Sequence, residues 1–169
     1  MAWPEPVERV AAYLREAGAE ARLEEFPAGT PTGGAAARAV GAETAQIVKS
    51  LVFDCGGKYV LALVPGDRRA DRRKVAAAAG SASARIASPE QVLEATGFAA
   101  GGVAPFPLRS VAAVLLDQML LAHERVWIGA GSERHLAEIA PGELARLARA
   151  RTADLVEREP QAGEGRFPE

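Results

Sequence analysis

Cysteine is nearly absent: Cys55 is the single one among 169 residues. One thiol forms no internal disulfide and supplies no CxxC metal or redox motif. Histidine is almost as scarce, with only His123 and His135, so the ligands of a structural zinc site are missing and neither a metal nor a cofactor is expected. There is no run of about eighteen apolar residues to cross a bilayer. The N-terminal stretch MAWPEPVERV puts acids where a secretory signal needs a basic and then apolar start. A cytoplasmic protein without a membrane partner is expected. Trp3 and Trp127 are isolated aromatics, unlike the stacking series of single-strand nucleic-acid binders. A surplus of positive charge is lacking too: a net charge of −2 argues against non-specific coating of nucleic acid.

What remains is an ordinary globular composition, 49% hydrophobic and 25% charged. It predicts one domain over residues 1–156 with a real core, followed by a polar, Gly- and Pro-bearing tail over 157–169 that frays. No internal repeat or long linker divides the chain.

The costliest feature is a lysine inside an apparent buried strand, QIVKSLVF at residues 46–53. Strand alternation places Ile47, Lys49, Leu51 and Phe53 on one face and Val48, Ser50 and Val52 on the other, so both faces are largely apolar. A buried ammonium without a partner is driven toward its neutral form. Lys49 therefore either opens onto a cavity or lies near an edge where its stem reaches water. The segment alone leaves both readings open.

Around it the chain alternates short helices and strands. Val7, Val10, Ala11 and Leu14 recur at helical spacing, and Gly18 stops that helix. A strand follows through Ala21, Leu23 and Phe26. Thr32 caps an Ala-rich helix ending near Gly41. The lysine strand turns at Cys55, Gly56 and Gly57 into a partner over 59–64, ended by Pro65, Gly66 and Asp67. A basic helix runs from 71 to 79. A short strand at 84–87 leads to a capping box of Ser88, Pro89 and Gln91, and Gly97 closes that helix. The loop FAAGGVAPFP, 98–107, has too much Gly and Pro for regular structure. An apolar strand at 111–116 ends at Asp117, which caps a helical turn. Strands at 125–129 and 135–139 form a hairpin around Gly131 and Ser132, and Pro141 opens a last helix followed by a short segment through Leu155.

Charge is uneven along the chain. Arg68, Arg69, Arg72, Arg73 and Lys74 cluster after a Pro-Gly-Asp turn, which permits a confined phosphate contact but equally describes a solvated helix face.

The order of TPT, an Ala-rich helix, TAQIVKSLVF, a hairpin, LVPGDRRAD, SPEQVLEATGF, GGVAPF, a strand ending at Asp117 and a closing helix resembles the YbaK/prolyl-tRNA-synthetase-associated editing domain family. The resemblance covers roughly residues 30–156. It implies an α/β fold with a mixed, largely antiparallel twisted sheet and surrounding helices. It also implies an aminoacyl-tRNA deacylase acting in trans on a mischarged tRNA, most readily tRNA(Pro), with transient association with a synthetase as a further implied contact.

Carried over by position, the family's lysine matches Lys49, and its G-x-x-x-P substrate loop matches Gly101, Gly102, Val103, Ala104 and Pro105. Lys49 and Gly101 are the implied catalytic positions. Thr32, Ser50, Asp117 and His135 join the remaining loop residues as substrate-binding candidates, and Arg68, Arg69, Arg72 and Arg73 as tRNA contacts. The chemistry is consistent: an activated ester on a phosphate-bearing adenosine needs a cation and close backbone approach. Lys49 is assigned to substrate binding and transition-state electrostatics, because Ser50 points to the opposite strand face and makes no Ser-Lys nucleophilic pair. Asp117 is equally a helix cap, His135 equally a surface residue, and Cys55 a bystander thiol in a turn. Alanine-specific members often carry Asn after the lysine, where this chain has Ser50, so Ala, Cys, Ser, Thr and 2-aminobutyrate stay open as the amino acid removed. Two other functions compete with editing: a non-catalytic tRNA- or synthetase-binding module, and a hydrolase of another small ester or nucleotide.

Overall fold

Polar caps and glycine stops set the limits of three of the helices in the computed structural model, which describes residues 3–158. Helix α1 (Glu5–Glu16) turns Val7, Val10, Ala11 and Leu14 inward. Helix α2 (Gly33–Val40) starts where the Thr32 hydroxyl accepts from the Ala35 N–H and ends at left-handed Gly41. Asp71 and Ser88 cap α3 (Arg72–Ala79) and α4 (Pro89–Thr96) in the same way, with Gly80 and Gly97 as stops. Helix α5 (Pro141–Ala148) instead ends at Arg149, a non-glycine residue with φ of 54°.

Two sheets form. The first orders β1 (Ala21–Glu25), β7 (His135–Ile139) and β6 (Val126–Ser132), all antiparallel. The second orders β4 (Arg85–Ile86), β2 (Val48–Cys55), β3 (Lys58–Pro65), β5 (Ala113–Asp117) and β8 (Ala150–Ala153). In it β4, β2 and β3 are antiparallel, and β3, β5 and β8 run parallel. A parallel bridge from Ile47 to Trp127 joins the two sheets. The mixed α/β fold implied by the motifs is thus present, divided into two sheets.

Alternation along β3 and β5 feeds two cores. Leu61, Leu63, Val114 and Leu116 pack with α1, α5 and Phe98, while Val60, Ala62, Val64 and Leu115 pack under Val75 and Ala76 of α3. Both faces of the central strands are therefore dry. Among the described residues no helix is long and apolar enough to cross a membrane.

Several local expectations change. The β2–β3 turn is Gly56-Gly57 alone, both at positive φ as a two-residue hairpin requires. Cys55 pairs with Lys58 inside the ladder and is buried, with burial raising its thiol pKa. Gly131 and Ser132 belong to β6, and the hairpin reverses at Glu133 and Arg134 after an irregularity between Gly129 and Ser132. Phe26 lies beyond β1, and the segment leading to Leu155 contains the parallel edge strand β8. From residue 159 onward, the expected frayed tail lies outside the described residues.

Candidate active site

The position of Lys49 follows from an incomplete sheet edge. Strand β3 pairs with all of β2, but on the other side β4 reaches only Phe53 and Asp54. The Val48–Leu51 half of β2 is thereby left with an open edge, and Lys49 is half-buried there. Both readings of the sequence were partly right: the strand is interior over one half and an edge over the other.

Two hollows meet at this lysine. One, of about 300 Å³, is lined by residues 30–33 with Ala36, by residues 47–51, by Gly101 and Val103, and by Gly129, Ser132 and Leu136. The other is a groove of about 880 Å³ lined by Lys49, Leu51, Phe53, residues 66–73, Ile86 and Glu157. Lys49 and Leu51 border both.

The Lys49 ammonium donates to the Arg68 carbonyl oxygen at 2.5 Å. Desolvation lowers its pKa from the ordinary lysine value, nearby Asp67 opposes that shift, and Arg69 adds to it. An ammonium has three donors, so two remain for a ligand. The Ser50 hydroxyl is buried without a hydrogen-bond partner and borders the smaller hollow. A buried orphan hydroxyl is uncommon and is readily satisfied by a polar ligand.

Close backbone contact seats the glycine loop. Gly101 has a φ of 93°, and a Cβ there would fall 2.7 Å from a Glu133 carboxylate oxygen. A Cβ on Gly102 would lie 2.8 Å from the Ser132 Cα, and one on Gly129 would strike the Val103 carbonyl oxygen. Loop and β6 thus touch through backbone on both sides. Of the five loop positions, Gly101 and Val103 face the smaller hollow. Gly102 packs on the β6–β7 turn, Ala104 is fully buried, and Pro105 lines a separate surface depression beside Tyr13.

The other candidates divide. Thr32 caps α2 and also lines the smaller hollow. His135 is buried, only 2% exposed, with Nδ1 2.6 Å from the Ser132 hydroxyl and Nε2 unpartnered. Burial lowers its pKa and so disfavours the charged ring, and it stands behind Ser132, which lines the smaller hollow. The surface reading of His135 is therefore replaced. Asp117 lines neither hollow: its carboxyl oxygens accept from the Met119 and Leu155 N–H groups at 3.0 and 2.8 Å. Its placement is that of a cap tying β5 to the segment after β8.

Asp117→Ala should therefore act on stability. It strands the buried Leu155 N–H, so a loss of about 2–4 kcal/mol is expected, read as a melting temperature lower by about 4–16 °C. KM of the folded fraction should stay unchanged; a raised KM with an intact melting curve would return Asp117 to the site.

Arg68, Arg69, Arg72 and Arg73 all line the larger groove. Lys74, adjacent in sequence, does not: its ammonium is held by Asp154 and the Val156 carbonyl at 2.9 and 2.7 Å. Gly129, Ser132 and Leu136 were missed from sequence. The available signal was GAGS inside an apolar strand pattern, since glycine within a strand marks close approach of another backbone.

Among the described residues no group of acidic, histidine and cysteine side chains is placed to hold a metal ion. The sequence matches the aminoacyl-tRNA editing domain over residues 28–147. The chain belongs to that family. A solved structure described as a candidate trans-editing enzyme for prolyl tRNA synthetase superposes with a TM-score of 0.86 at 40% identity, covering 93% of this chain and all of the other. Protein YwhH of Bacillus subtilis, itself uncharacterized, is 36% identical over 126 residues, which is 74% of this chain and 80% of the relative. A proline–tRNA ligase of Nitratidesulfovibrio vulgaris is 34% identical over 102 residues, 60% of this chain but only 18% of the ligase. This editing-domain protein is an aminoacyl-tRNA deacylase.

Proposed function

We propose that the protein edits in trans, hydrolysing the ester of a small noncognate amino acid on tRNA(Pro) in the cytoplasmic translation pool. One observation carries the reading of the site: a single lysine borders both a hollow of amino-acid size and an arginine-lined groove. The smaller hollow takes the aminoacyl group, bordered by Thr32, Ser50, Gly101 and Val103. The groove takes the terminal adenosine and its phosphates, with Leu51 and Ile86 as apolar floor and Arg68, Arg69, Arg72 and Arg73 at its rim.

In this arrangement water attacks the ester carbonyl, and charge builds on the carbonyl oxygen. The Lys49 ammonium stabilises that oxyanion electrostatically, and the loop at Gly101 brings backbone against the acyl group. The C–O bond to the ribose then breaks, the ribose oxygen takes a proton, and the amino acid leaves as its carboxylate. The side chains of the site bind and polarise; none needs to form a covalent intermediate.

The prolyl-related solved structure and the ligase relative support tRNA(Pro) as carrier. The modest volume of the smaller hollow, about 300 Å³, supports a small side chain, although a missing methylene changes binding by only about 1–3 kcal/mol, so discrimination among Ala, Ser and 2-aminobutyrate should be partial. The test is a panel of tRNAs charged with Ala, Cys, Ser, Thr, 2-aminobutyrate and Pro. Preferential hydrolysis of a small noncognate member on tRNA(Pro) is expected. Preferred hydrolysis of Pro-tRNA(Pro) would overturn the reading, and binding without turnover of any member would replace it with a non-catalytic module.

The arginine rim has its own measurement. Arg72→Gln with Arg73→Gln should weaken tRNA binding and flatten the slope of log affinity against log salt by about one per lost contact. An unchanged slope would make these arginines a solvated face.

A further inference from the structure

A second basic hollow lies at the other end of α3. It has a volume of about 580 Å³ and is lined by Lys58, Arg149 and Arg151 together with Cys55, Val60, Gly80, Ser81 and residues 112–114. No acidic side chain lines it. In a chain of net charge −2, three cations around one concavity with no carboxylate is a marked local excess. Among the described residues none of the three forms an ion pair.

Two further features single the hollow out. Arg151 is pinned by one donor to the Ala78 carbonyl at 2.5 Å, so its guanidinium is oriented while its other N–H groups stay available. Arg149 occupies a left-handed helix stop, φ 54°, at a position where the helices α2, α3 and α4 all use glycine. A non-glycine residue in that conformation is locally unfavourable, so the arginine is retained there at a cost to the backbone.

We infer that this hollow is a second phosphate-binding site that holds the sugar-phosphate backbone of the RNA body, while the Lys49 groove holds its esterified end. The placement supports this. Lys49 and Cys55 lie on the same face of β2, six residues and about 20 Å apart, and α3 lies over that face between the two hollows. One aminoacyl-adenosine cannot touch both, whereas the sugar-phosphate backbone of an RNA stem carries one phosphate per nucleotide and spans that distance within a few nucleotides. The inference rests on the proposed RNA substrate, but it concerns the RNA body and not the ester.

The test uses the full-length protein with Arg149→Gly alone and with Lys58→Gln, Arg149→Gly and Arg151→Gln combined. Arg149→Gly removes a charge and relieves the left-handed strain together, so its melting temperature should hold or rise. Uncharged tRNA is the binding probe, titrated over a range of salt, and a short aminoacylated 3′-terminal oligonucleotide is the comparison substrate. The slope of log affinity against log salt should fall by about 0.7–0.9 per cation removed. KM should rise for the charged tRNA and stay constant for the oligonucleotide. An unchanged slope in well-folded variants overturns the second site, as does an equal loss on the short substrate, which would place the effect at the ester end. Failure of the wild-type protein to hydrolyse any charged tRNA would count against the editing reading and leave the slope measurement standing as the test of this site.

Discussion

Lys49→Ala should lower single-turnover deacylation by about 10²–10³-fold, the usual consequence of deleting one donor to a developing oxyanion. The fold should tolerate the change. The side chain is half-buried at an open strand edge, and its hydrogen-bond acceptor, the Arg68 carbonyl, can turn to water. Lys49 has a lowered folded-state pKa, so its charged form is disfavoured by folding. Between that pKa and the ordinary lysine value the unfolded chain binds more protons, and stability attributable to this group rises with pH across that window. Below it, the lysine is a burden that alanine removes, and the melting temperature of the variant at pH 7 should match or exceed that of the parent. Activity has the opposite sign. If the ammonium is the working form, the rate, corrected for spontaneous alkaline hydrolysis of the ester, should fall as pH rises through the lowered pKa, before an unperturbed lysine would titrate. A folded alanine variant with an undiminished rate would remove Lys49 from the mechanism.

Gly101→Val should have the next largest effect, for two independent reasons. A φ of 93° is open to glycine and strained for a β-branched residue. A Cβ at this position would also sit 2.7 Å from the Glu133 carboxylate, so either that side chain or the loop must move. Displacing the loop moves one wall of the smaller hollow, and an error of about 1 Å in a positioning element costs around 10² in rate. Ala99→Val, on the exposed approach to the same loop, is the control and should be nearly silent. The combination of Gly101→Val with Glu133→Ala separates the causes: partial recovery of kcat/KM would assign part of the loss to the carboxylate clash. Wild-type turnover by Gly101→Val would reduce this loop to a connection.

Local chemistry was enough to single out much of the candidate site. Thr32, Ser88 and the glycine stops place helices wherever a side-chain acceptor can satisfy the first free N–H groups and a left-handed residue can end the last turn. These are interactions over three or four residues, and sequence displays them directly. The apolar strand interrupted by Lys49 and the Gly/Pro loop at 101–105 were legible for the same reason: each breaks a local rule.

Tertiary structure alone decided the rest. Whether Lys49 opens to a cavity depends on β4 stopping at Phe53 and Asp54, a pairing across more than thirty residues of chain. His135 is buried behind Ser132, and Asp117 is tied to Leu155, through contacts that no spacing encodes. The separation of Lys74 from its arginine neighbours likewise depends on Asp154 arriving from the far end of the chain. The basic hollow at Lys58, Arg149 and Arg151 is the clearest case: its cations come from a hairpin and, some ninety positions later, from the stop of α5 and the parallel edge strand β8. Periodicity and capping report the energetics of neighbours in sequence, whereas a binding site is an arrangement of neighbours in space, and here sheet order brought those neighbours together.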